Sequence, residues 1–199
     1  MRSRLLLFLL LSLAVPAFST PAGAQCASGT ITATLSLDPG FVGQYKYCVD
    51  VTWDLGQFQI SHLDVFLQLP DCPCICHPSF IGFVEPAGTS METGTSCLQP
   101  YAGAYVCKGD PSIPAGMNGP AVKFVPDDSS PCNPGVSGHG TFCFYSPMPP
   151  APPTDHPNAI AIKHGQEVCY ALLTGSLPTC DCALPVSPLT WGSLKSMYR

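Results

Sequence analysis

Between Tyr45 and Asp54 the side chains alternate with a period of two. Tyr45, Tyr47, Val49, Val51 and Trp53 share one parity, while Lys46, Cys48, Asp50, Thr52 and Asp54 share the other. An extended backbone sends successive side chains to opposite faces, so one set is buried and the other meets water: a half-buried β-strand. The rhythm returns after the turn-prone Asp54-Leu55-Gly56, where Leu63, Val65, Leu67 and Leu69 alternate with His62, Asp64, Phe66 and Gln68. These two segments are expected to form a hairpin or an inter-sheet pair.

The same alternation marks residues 29–37, 121–125 and 140–145, and then 158–163 and 167–174, the last two as a hairpin around His164-Gly165-Gln166. Residues 71–119 lose the pattern and read as an irregular insertion with short strands near 80–84 and 102–107. The proline-rich stretch 146–157 reads as a stiff connection between strands. With 18 Gly, 23 Pro and only 11% charged residues, many short strands joined by turns fit better than helices do. The predicted fold is all-β, an antiparallel Ig-like β-sandwich of seven or eight strands. A short C-terminal helical tail is expected to follow, with Trp191, Leu194 and Tyr198 on one face.

Arg2 and Arg4 precede an apolar run over residues 5–18, and Ala22-Gly23-Ala24 then supplies small residues for cleavage before Gln25. That is the pattern of a secretory signal peptide, and the run is too short for a transmembrane helix. The chain then divides into a signal peptide at 1–24, a disulfide-rich domain at 25–182, and a linker with a tail at 183–199. No later window is long and apolar enough to span a membrane. The segment after residue 24 holds six Lys+Arg against thirteen Asp+Glu, a net charge of −7, which disfavours nucleic acid as a partner. The expected partner is an unknown extracellular or cell-surface molecule.

Twelve cysteines in an exported chain imply disulfides, because thiols oxidise and stay oxidised outside the cytoplasm. Two pairings are expected: Cys72 with Cys180, flanking the ends of the domain, and Cys97 with Cys107, closing a local loop. The competing chemistry is metal ligation by Cys72, Cys74, Cys76, His77, Cys180 and Cys182, whose thiolates and imidazole suit zinc or copper. These cysteines alternate with single residues instead of forming zinc knuckles, so disulfides are the favoured reading. No cofactor is expected.

His62 and Asp64, two apart on one strand face, resemble a base with its orienting carboxylate, but catalysis there would also need an activated Ser or Cys. No such motif accompanies them: Gly135-Val136-Ser137-Gly138-His139 has His where a nucleophile elbow needs its second Gly. Adjacency alone does not make Cys76-His77 a dyad. Asp127, Asp128, Ser129, Ser130 and Asp155 offer oxygen ligands in loops, without the spacing of an EF-hand. Tyr45, Tyr47, Trp53 and Phe58 would stack on sugars if exposed, but alternation assigns most of them to the core. The expectation is therefore a non-catalytic binding or structural module. A metal-binding envelope protein is the second reading and an extracellular hydrolase the third.

The tail residues Trp191, Gly192, Lys195, Tyr198 and Arg199 resemble a short C-terminal Trp-Gly, Lys, Tyr-Arg signature of predicted secreted proteins in certain Gram-negative lineages, which implies an export or surface-sorting tag. The domain more loosely resembles uncharacterised bacterial secreted β-sandwich modules. That resemblance rests on Ser61-His62, Leu69 to Cys72, Val122-Lys123-Phe124, Gly140-Thr141-Phe142, Ala161-Ile162-Lys163 with Gly165, and Pro178 to Cys180. It implies no activity and leaves Cys74, Cys76, Cys97, Cys107 and Cys132 unexplained.

Overall fold

The computed structural model describes residues 26–37, 42–67, 85–114, 119–151 and 159–178, and among them every regular element is a strand. In chain order these are β1 (Ala27–Leu35), β2 (Tyr45–Asp54), β3 (Ile60–Phe66), β4 (Ala87–Glu92), β5 (Leu98–Val106), β6 (Ala121–Pro126), β7 (Ser137–Ser146), β8 (Pro150–Ala151), β9 (Ala159–His164), β10 (Glu167–Gly175) and β11 (Leu177–Pro178). Nine of them run edge to edge in the order β1-β10-β9-β3-β6-β5-β4-β7-β2, and β2 hydrogen-bonds back to β1. The sheet is therefore a closed barrel, and the expected open Ig-like sandwich is wrong. β8 and β11 form a separate small ladder. The expected helical tail at 183–199 lies outside the described residues.

Closure follows from one pairing that alternation cannot reveal. β1 lies antiparallel to β2 over its whole length, but its other edge pairs in parallel with β10, from Gly29↔Leu173 to Ile31↔Gly175. Around a ring, chain direction reverses at every antiparallel contact and must return to where it started. A ring of nine strands therefore needs at least one parallel contact, and β1–β10 supplies it. At this seam the chain passes so close to itself that a Cβ on Gly175 would collide with the Ile31 carbonyl, and Gly175 has φ +112°; only glycine fits there without strain.

The region read as an irregular insertion contributes two wall strands, β4 and β5. Its weak hydrophobic signal has a packing cause. The Phe142 ring covers Gly88 so closely that a Cβ there would overlap it, and the buried Ser90 donates a hydrogen bond to the Tyr101 hydroxyl (3.1 Å). Small residues on β4 make room for large ones on its neighbours. β2 and β3, expected to pair, stand apart in the ring: β2 bonds β1 and β7, and β3 bonds β6 and β9.

The barrel interior is filled with side chains. Tyr47, Val49, Leu63, Val65, Phe124, Phe142, Phe144, Ile160 and Ile162 are fully buried in one cluster. Tyr47 stacks on Phe144 with ring centroids 5.3 Å apart, and Tyr101 meets Phe142 edge-on at 5.0 Å. The outer wall of β1, β2 and β7 is polar instead. There Ser28 bonds Thr52 (2.7 Å) and Thr141 donates to Asp50 (2.6 Å). On these three strands an apolar, filled interior lies behind a hydroxyl-lined exterior, the reverse of a wall that faces lipid.

Three disulfides between described residues join distant parts of this wall. Cys26–Cys169 ties the entry to β1 onto β10 beside the parallel seam, Cys48–Cys143 bridges directly opposed residues of β2 and β7 (Cα–Cα 4.2 Å), and Cys97–Cys132 links two loops. Cys97 therefore pairs with Cys132, not with Cys107. The local spacing of ten residues was a poor guide, because β5 carries Cys107 to the far end of the barrel from Cys97. Cys107 is itself disulfide-bonded.

Replacing Cys26 and Cys169 together by Ser is expected to lower unfolding free energy by about 2–4 kcal/mol, read from the urea midpoint. A second expectation concerns alkaline pH. Burial raises the Tyr101 hydroxyl from 10.0 to about 12, the Ser90 hydrogen bond opposing the rise, and burial raises Tyr47 further still, helped by Tyr45. A folded-state value above the unfolded one contributes stability that is complete below pH 10 and drains away as pH rises towards 12. Phenolate absorbance from these two rings is expected to appear only together with loss of near-ultraviolet circular dichroism.

Candidate functional site

β3 is buried on both faces. A register shift against β9 between Ile60 and His62 lets Ile60 and Leu63 both point inward although they are three apart, the signature of a bulge. His62, Asp64 and Phe66 then face outward. The ladder partners of Asp64 are Lys123 on β6 and Ala161 on β9, and the next residue along the row is Tyr170 on β10. Directly opposed side chains on one face lie within about 5 Å. The register thus sets Lys123, Asp64, the small Ala161 and Tyr170 in one row across β6, β3, β9 and β10.

The segment 107–114 straps over this part of the outer wall. Ile113 anchors it in a second apolar cluster with Phe66, Ala121 and Ala161. Asp110-Pro111-Ser112 makes a tight turn in which Asp110 Oδ1 accepts from the Ser112 backbone N–H and from its hydroxyl, both at 2.7 Å. The turn lowers Asp110 onto His62: Oδ2 lies 3.3 Å from His62 Nε2 and forms an ion pair with Lys123 Nζ. Asp64 Oδ2 lies 3.5 Å from the same imidazole nitrogen, and Ser112 Oγ lies 3.2 Å from it.

These groups are held in different charge states. Burial brings His62 down to about 4, aided by the Lys123 charge, so its ring is neutral at pH 7. Burial pushes Asp64 up to about 7, with Asp110 adding to the rise. Asp110 would also be raised by its burial, but the Lys123 and Ser112 hydrogen bonds outweigh that and hold it at about 2. Asp64 is wholly shielded from solvent and neither of its carboxylate oxygens accepts a hydrogen bond; the Tyr170 hydroxyl likewise has no partner. A shielded carboxylate without donors is a costly arrangement.

Ser112 beside His62 invites comparison with a nucleophile and its base, but the protons run the wrong way. Ser112 gives its only hydrogen to Asp110, so it can only accept from a protonated His62 Nε2. A nucleophilic serine must donate to the imidazole, and the orienting carboxylate must hold the opposite ring nitrogen. Here both carboxylates approach Nε2. The cluster is not a Ser-His-Asp relay.

His62 and Asp64 are the sequence-predicted residues that the fold brings into a cluster. Asp110, Ser112 and Lys123 were missed: Asp-Pro-Ser is a turn signal, and only the barrel register brings Lys123 to Asp64. Asp127 Oδ1 accepts from the Ser129 N–H (2.9 Å) and hydroxyl (2.7 Å), the hydrogen bonds of a turn. Tyr47 and Trp53 are buried, Tyr45 packs against the core, and Phe58 is exposed. His139 lines a shallow groove of about 440 Å³ on the outer wall with Ser28, Thr30, Asp50, Thr52 and Thr141. Cys72, Cys74, Cys76, His77, Cys180 and Cys182, the Cys72–Cys180 pairing, Asp155, and the tail residues Trp191, Gly192, Lys195, Tyr198 and Arg199 lie outside the described residues. No protein-family model, curated protein or solved structure matches this chain.

Ser112→Ala removes one hydrogen bond from Asp110 and the acceptor facing His62 Nε2. It is expected to cost about 1–2 kcal/mol, seen as a lower urea midpoint at unchanged m-value.

Proposed function

We propose that the chain is an exported, non-catalytic module that works at the cell surface or in the extracellular space, in a binding or structural role. The observation that carries this reading is the set of three disulfides bracing the barrel wall, two of them joining residues 95 and 143 positions apart. Such cross-links persist where no reducing system operates, and they suit a protein that must resist proteases without chaperones. The N-terminal Arg2/Arg4 and apolar run act as the export signal in this proposal, and residues 191–199 as the sorting tag.

A non-catalytic role is supported by the direction of the protons in the His62 cluster, which leaves Ser112 without a base. Binding is assigned to the outer wall of β1, β2 and β7. Its groove presents hydroxyls, the Asp50 carboxylate and the His139 imidazole, so it offers hydrogen bonds. Tyr47 and Trp53 are committed to the core and supply no stacking platform for sugars. The partner favoured by these groups is a polar surface rich in donors and acceptors.

Fractionation of expressing bacteria tests the reading. The expected product lies outside the cytoplasm, begins at Gln25, and takes up no alkylating reagent until it is reduced. Deletion of residues 191–199 is expected to abolish surface retention while leaving the disulfides intact. A cytoplasmic product with free thiols would overturn the proposal.

A further inference from the structure

We infer that the cluster of His62, Asp64 and Asp110 is a binding site for a divalent transition metal, zinc above all. It uses none of the cysteines that the sequence put forward for metal. The imidazole and the two carboxylates each offer one ligand atom, and these three atoms all lie within 4.8 Å of one another. Four ligands held about 2.0–2.2 Å from zinc stand about 3.3–3.6 Å apart along the edges of their tetrahedron. His62 Nε2 is 3.5 Å from Asp64 Oδ2 and 3.3 Å from Asp110 Oδ2, so two edges already have that length. Magnesium, with bonds of about 2.0–2.1 Å in an octahedron, would need ligands about 2.9 Å apart, and calcium asks for six to eight oxygens.

Two independent features point to a cation. Asp64 is fully enclosed, aims its carboxylate at this cluster and accepts no hydrogen bond on either oxygen; a metal would supply the missing partner. Asp110 Oδ2 is in contact with the Lys123 ammonium, so a positive charge already stands at the mouth of the site. The Lys123 side chain is 26% exposed, more than His62, Asp64 or Asp110, and it can swing into solvent to admit the ion. Around a dication, two carboxylates and a neutral imidazole sum to zero charge, which a dry site on a barrel wall can hold. Ser112 Oγ, 3.2 Å from His62 Nε2, sits beside the fourth position.

The experiment uses the full, oxidised chain after chelator treatment, with Zn²⁺ titrated calorimetrically in a non-coordinating buffer and Co²⁺ read by its visible spectrum. One equivalent of zinc is expected to depend on this cluster, and cobalt to give the bands of a tetrahedral nitrogen–oxygen site without thiolate charge transfer. His62→Ala and Asp64→Asn are each expected to weaken binding by more than the roughly 10–100-fold that loss of an outer-shell partner brings. Lys123→Gln removes the competing ammonium from a partly exposed position and is expected to tighten binding. It remains informative if either ligand variant folds poorly. No zinc uptake by the wild type, uptake indifferent to both ligand substitutions, a thiolate band with cobalt, or binding to Lys123→Gln no tighter than to the wild type would each overturn the assignment.

Discussion

The parallel contact between β1 and β10 is the constraint on which the rest of the barrel rests. Without it the strands from β10 round to β1 would form one long open sheet with two bare edges, and bare edges recruit other chains. With it every wall strand has two neighbours, the interior is sealed, and the large aromatic side chains of β2, β6 and β7 can meet across the lumen. Gly175 permits the approach, and Cys26–Cys169 clamps it. The same closure gives the outer wall its curvature, over which the 107–114 strap lies.

Strand identity was largely legible in the sequence, because burial of one face imposes a period of two wherever the buried side chains are large. Tyr45 to Asp54 is the clearest case, and the hairpin around Gly165 was read correctly. Architecture was not legible, since one inward and one outward face describe a sandwich layer and a barrel wall equally well. β4 escaped notice because its inward positions hold Gly88 and Ser90, whose size is dictated by Phe142 and Tyr101 from other strands. Cys97 misled for a similar reason: its partner is set by where loops meet at a barrel end, not by distance along the chain.

The cluster under the strap shows the same division. His62 and Asp64 share a face by simple alternation, so their proximity was visible. Lys123 reaches them through a ladder between strands nearly sixty residues apart in sequence, and Asp110 through a turn held by Ile113. What these residues can do depends on details that no spacing encodes: which nitrogen of His62 faces the carboxylates, and where the Ser112 proton goes. Those details separate a hydrolytic relay from a set of ligands facing inward.

The seam also sets an order of events. Gly29 cannot find Leu173 until every wall strand between them has been made, so a chain that has delivered β1 must still add β2 to β10 before the barrel can close. Until then β1 and the strands that follow it stand as an open sheet whose last partner is still to come. Closure therefore comes late in assembly, and the Cys26–Cys169 bridge beside the seam can form only once β10 is in place.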